Sequence, residues 1–101
     1  MQFLLIAYDG KDEGAPQRRL AVREQHIALG NEMVAKGQML FGTAILDDSD
    51  GMIGSMVVLE FSDRAELDAW LKREPYVVGD VWKEINVQPC RVGPSFVGLH
   101  K

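Results

Sequence analysis

Residues 16–37 read PQRRLAVREQHIALGNEMVAKG, and the rest of the chain is organised around this stretch. Pro16 suits a first helical turn and Gly37 a stop, so the segment predicts one helix between them. At about 100° per residue it separates into two faces. Glu24, Gln25, Asn31, Glu32 and Lys36 share one side with Ala21, Ala28 and Ala35. Leu20, Val22, Ile27, Leu29, Met33 and Val34 share the other, which is expected to pack. The middle of that apolar arc is interrupted by Arg23, His26 and Gly30. A glycine inside a helix costs about 1 kcal/mol against alanine, so Gly30 is expected to make room beside His26. Two readings of His26 stay open: a core histidine satisfied by a backbone carbonyl, or the floor of a small pocket. Arg23 favours the pocket, because a buried guanidinium needs an acidic partner, a ligand or water.

Before this helix, Met1 to Tyr8 (MQFLLIAY) predicts a strand apolar on both alternating faces, and Asp9 to Gly14 a polar loop. After it, Gln38 to Leu46 and Met52 to Phe61 predict a hairpin joined by the turn Asp47 to Gly51. The carboxylates of that turn lack the alternate spacing of a calcium loop. Ser62 and Asp63 open a second helix, where Asp63 and Glu66 have capping-box spacing and Leu67, Trp70 and Leu71 form the buried stripe. It stops before Pro75, and Pro75 to Val81 reads as a short extra turn. Trp82 to Val92 is a fourth strand, in which Pro89 implies an edge position or a bulge.

The order β-α-β-β-α-β predicts an α+β, ferredoxin-like domain over residues 1–101, with a tail at 93–101. Its four-stranded antiparallel sheet would carry both helices on one face. The strands FLLIAY, MLFGTAIL and MVVLEF are apolar on both sides, so the helix-free face is expected to pack against a second copy in a homodimer. In the tail, Phe96, Val97 and Leu99 would extend the sheet or clasp a neighbour.

A net charge of −4, with no basic run, argues against nucleic acid or an anionic membrane as partner. The apolar runs fall far short of a membrane span, and the chain opens on a strand rather than an export signal. A single cysteine, Cys90, fits a cytoplasmic protein and is expected to be a small buried hydrophobe.

At Arg19 to Ile27 (RLAVREQHI) the chain resembles the YciI-like (YCII) family. Asp9 after the first strand, Gly54-Ser55 in the third and Pro75-Tyr76-Val77 after the second helix extend the match. The resemblance implies a dimeric α+β barrel with a pocket between helix and sheet in each subunit. It also implies a paired histidine and acidic residue as a catalytic dyad, and its most concrete chemistry is removal of chloride from hydroxylated chloroaromatics. The family histidine falls on His26. The acidic residue of the family's Asp-Pro-Tyr motif falls on Glu74, a departure by one methylene, and Asp9 is the other candidate partner.

Histidine titrates near pH 6.5, and a carboxylate on one ring nitrogen fixes the tautomer and frees the other nitrogen for proton transfer. Arg23 could bind a phenolate, enolate or carboxylate oxygen, and Ser55 could add a hydroxyl hydrogen bond. Tyr8 and Tyr76 could line an aromatic-sized cavity. Each has a plainer role: Glu74 a solvated helix end, Ser55 a strand-start residue, the tyrosines core or interface. A metal site is not expected, since no His or Cys sits at ligand spacing from His26 and His100 lies in the tail. Nor is a cofactor, since no nucleotide- or flavin-binding motif is present. Three classes follow: a lyase- or isomerase-type enzyme using His26 as general acid/base, a non-catalytic small-ligand binder, or an accessory subunit of a larger complex.

Overall fold

The structure, a computed structural model, describes residues 1–99. Strand β1 (Gln2–Asp9) leads into helices α1 (Ala15–Ala21) and α2 (Arg23–Ala35), then the hairpin strands β2 (Met39–Leu46) and β3 (Met52–Glu60). Helices α3 (Arg64–Leu71) and α4 (Pro75–Val78) precede strand β4 (Trp82–Cys90). The sheet order is β2-β3-β1-β4 with every neighbouring pair antiparallel, the α+β arrangement expected from the element order. Pro89 lies on the edge strand β4, where a missing backbone donor is tolerated.

The single helix expected between Pro16 and Gly37 is two helices. Val22 adopts φ −118° and ψ 11°, outside helical geometry, and its γ-carbons pack on Gly79 at the end of α4. A β-branched residue gives up little helix propensity there and gains a contact. Gly37 has φ +73°, a conformation that favours glycine, and it follows the end of α2. Asp63 accepts the Glu66 backbone N–H at 2.9 Å, and the Glu66 carboxylate accepts that of Ser62 at 3.0 Å, so α3 opens on a capping box shifted by one residue.

Between sheet and helices lie Phe3, Leu5 and Ala7 of β1, Val57 and Leu59 of β3, Leu29 and Met33 of α2, and Leu67 and Trp70 of α3. The expected packing face of the long helix was too broad: Leu20, Ile27 and Val34 are exposed, and Leu29 and Met33 do the packing. Leu71 is only partly buried, as is Cys90. The register places Leu4, Ile6 and Tyr8 of β1 beside Val58, Met56 and Gly54 of β3 on the helix-free face. Phe41 and Ile45 of β2 extend that apolar surface on one side, and Glu84, Asn86 and Gln88 of β4 border it with polar groups. Beyond β4 the tail makes a 3-10 turn at Pro94–Phe96 and, among the described residues, adds no strand. Phe96, Val97 and Leu99 are exposed, and His100 lies outside the described residues.

Candidate active site

The site is built around the tripeptide Glu74-Pro75-Tyr76. A residue preceding proline is driven to extended backbone, and Glu74 has φ −65° and ψ 122°. Pro75 then starts α4, and the Glu74 side chain turns back to cap it, Oε1 accepting the Tyr76 backbone N–H at 3.0 Å. The carboxylate is thereby fixed from two sides. Its Oε1 also lies 2.6 Å from Nδ1 of His26, which α2 presents from across the groove. Glu74 is 0% exposed, so the expectation of a solvated helix end is overturned. Its Oε2 has no hydrogen-bond partner.

The His26 ring stacks on Tyr76, with centroids 3.8 Å apart and planes 10° from parallel, and Trp82 meets it edge-on at 6.1 Å. Three contacts thus hold the imidazole, and Nδ1 is the ring nitrogen engaged by the carboxylate. Burial raises the Tyr76 hydroxyl above its ordinary value against the opposing pull of Arg19.

A second buried pair lies behind the first. Arg19 of α1 is 3.2 Å from Asp9 of β1, and both side chains are almost fully enclosed. Arg19 Nη2 donates to the Gly54 carbonyl at 2.6 Å and to Ser55 Oγ at 2.9 Å, and Ser55 also accepts from Trp82 Nε1 at 3.2 Å. The guanidinium carbon sits 4.7 Å from the centre of the Tyr76 ring, near enough for a cation–π contact. Burial raises the Asp9 carboxyl above its usual range, while the positive charges of Arg19 and, further off, Arg18 pull it down.

These contacts sort the expected residues. His26, Glu74, Tyr76, Ser55 and Gly30 come together at one cleft between α2 and the sheet. Asp9 does not face His26: its charge is taken by Arg19. Tyr8, 36% exposed, alternates onto the helix-free face and lines no part of the cleft. Arg23 borders the cleft but is exposed, so the buried guanidinium expected there is one turn earlier, at Arg19. Arg19 and Trp82 went unread as site residues. The signal for Arg19 was its position seven residues before His26, which returns to the same side of a helix; Trp82, first in its strand, offered none.

The cleft has a volume of about 330 Å³. Among the described residues, no three His, Cys, Asp or Glu side chains gather to hold a metal ion, and no helix is long and apolar enough to cross a membrane.

Residues 1–91 match the YCII-related domain. Protein YciI of Escherichia coli is 30% identical over 97 residues, covering 90% of this chain and 97% of that protein. An uncharacterized Haemophilus influenzae protein is 32% identical over 81 residues, covering 74% of this chain and 83% of its own. Among solved structures, the 5-chloro-2-hydroxyhydroquinone dehydrochlorinase of Burkholderia phenoliruptrix, in complex with 2,5-dihydroxybenzoquinone, superposes with a TM-score of 0.79. It is 21% identical, with 94% of this chain and 98% of that one covered, a likeness that speaks to the fold. A match over nine-tenths of the chain, with relatives of the same length, makes this protein a member of the YCII-related family.

Proposed function

We propose that the chain is a small general acid–base enzyme acting on a hydroxylated ring compound, with His26 moving the proton and Glu74 orienting it. The observation that carries this reading is the 2.6 Å contact between a fully buried carboxylate and an imidazole that is 21% exposed at the edge of a cleft. A buried, hydrogen-bonded carboxylate fixes the imidazole tautomer, which is what a base needs and a core histidine does not. Arg23 at the rim supplies a cation for a phenolate or enolate oxygen, and Tyr76 supplies an aromatic wall.

Dehydrochlorination of the kind named for the Burkholderia protein suits these groups. His26 takes a hydroxyl proton and delivers it to the carbon bearing chlorine, which becomes tetrahedral as the ring takes its keto form. Chloride then leaves as a second hydroxyl gives its proton to His26, which releases it to solvent. The net loss is HCl and the ring reaches the quinone level, with no external oxidant. Leu4, Ile6, Met56 and Val58 on the helix-free face support a homodimer built on that face, and a lone, half-buried Cys90 fits a reducing, cytoplasmic setting.

The test is chloride release from 5-chloro-2-hydroxyhydroquinone. His26→Asn should lose about 10²–10⁴-fold in rate. Glu74→Gln should lose less, and the double variant little more than His26→Asn, because the pair acts as a unit. An unaffected His26→Asn protein would return His26 to the core, and stoichiometric binding without turnover would make the chain a binding module.

A further inference from the structure

We infer that the cleft's ligand carries an apolar arm beyond its reactive ring, lying along α2 from His26 toward Val34. The inference rests on the proposed reading of His26 and extends it to the shape of the substrate. Its first support is size. A cavity of about 150 Å³ is enough to hold benzene, and this cleft has about 330 Å³. The second is length. Both His26 and Val34 line the cleft, and eight residues of helix at about 1.5 Å each make a run of roughly 12 Å. A single ring at His26 leaves the far half empty.

The third support is the way polarity is divided. Arg23, His26 and Ser55 gather at the end where α2 begins, beside the apolar Ile27 and Met52. Gly30, Val34, Met39 and Val57 line the other end without a charged group. Asn31 adds a polar group along the cleft but stays exposed. The fourth is the pair of glycines facing each other across the apolar half. A Cβ on Gly30 would touch only Met39 Sδ, at 3.7 Å, and one on Gly42 only the Met56 carbonyl oxygen, also at 3.7 Å. Both are ordinary contact distances, and neither glycine has a positive φ. Packing and backbone would therefore accept a side chain at either position, although glycine weakens helix and strand alike. What their bareness keeps open is the apolar half of the cleft.

The matching ligand is an acidic or hydroxylated ring joined to an alkyl chain or second ring. Calorimetric titration with catechol and 4-butylcatechol tests this directly. Each buried methylene should tighten binding about fourfold, so the butyl compound should bind on the order of a hundredfold more tightly. Gly30→Leu should bring that ratio close to one. Gly42→Val, filling the cleft from the sheet side, should do the same and stands in if Gly30→Leu misfolds. Equal affinity for the two catechols would overturn the arm and leave the proposed function standing. A ratio unchanged in both variants would also overturn it, because the butyl group would then bind elsewhere. If neither catechol binds, the arm and the underlying reading fall together.

Discussion

Glu74 and Asp9 are two buried carboxylates with opposite assignments, and their neighbours decide which does what. Glu74 faces an imidazole at a cleft and Asp9 faces a guanidinium in the interior, so the proposed chemistry draws on Glu74 and leaves Asp9 to the interior ion pair. Removing one partner of a buried ion pair leaves the other charge uncompensated, at about 3–5 kcal/mol. Arg19→Ala should therefore lower stability by that amount in urea unfolding, and a loss below about 1 kcal/mol would show the pair behaves as a surface bridge. Because burial holds the Asp9 carboxyl above 3.8, the folded state keeps this proton longer than the unfolded chain. Asp9 thus withdraws stability as pH rises through the window just above 3.8. In Asp9→Asn that opposing contribution disappears, so stability should climb more steeply with pH across the same window; a parallel profile would show Asp9 titrates normally. At this scale His26 was legible because an ionisable residue stood on an apolar arc. Arg19 was not, because the arc was drawn on one continuous helix with Arg23 as the inward cation.

The elements follow from local signals, and their departures follow from contacts between distant segments. Strands apolar on both sides, proline-led helix starts and the capping residues at Asp63 announced the order of strands and helices. The break at Val22 was invisible because its cause, the contact with Gly79, joins residues far apart in sequence. Gly37 and Gly54 separate two reasons for glycine. At Gly37 nothing lies within 4 Å of an added Cβ, so only its φ of +73° opposes a side chain. Gly37→Ala should cost about 1–2 kcal/mol, lowering the melting temperature by roughly 4–8 °C per kcal/mol. At Gly54 a Cβ would stand 2.5 Å from the Ala7 carbonyl oxygen, so Gly54→Ala must move β1 away from β3. It should melt below Gly37→Ala, and the reverse order would show that the sheet yields more easily than the turn.

For the molecule as a whole, the sheet has one face covered by helices, while the other presents Leu4, Ile6, Met56 and Val58, with Phe96 and Leu99 of the tail beside Phe41 and Val58 at its β2 side. The apolar strands announced both faces, but the polar border from Glu84, Asn86 and Gln88 emerged only with the register. That border confines the apolar surface to β1, β2 and β3. A dimer on this face should give twice the chain mass by light scattering at micromolar concentration. Ile6→Lys, which places a charge at the centre of the surface, should halve it; a wild-type monomer would refute the dimer.

The central claim is that Glu74 holds the imidazole of His26 by Nδ1 and leaves Nε2 as the working nitrogen. Nitrogen-15 NMR of the histidine ring reads this directly in the resting protein. The account predicts a proton on Nδ1, shared with the carboxylate, a basic Nε2 facing the cleft, and ring shifts that move in Glu74→Gln. A neutral ring protonated at Nε2, with shifts indifferent to Glu74→Gln, would contradict it.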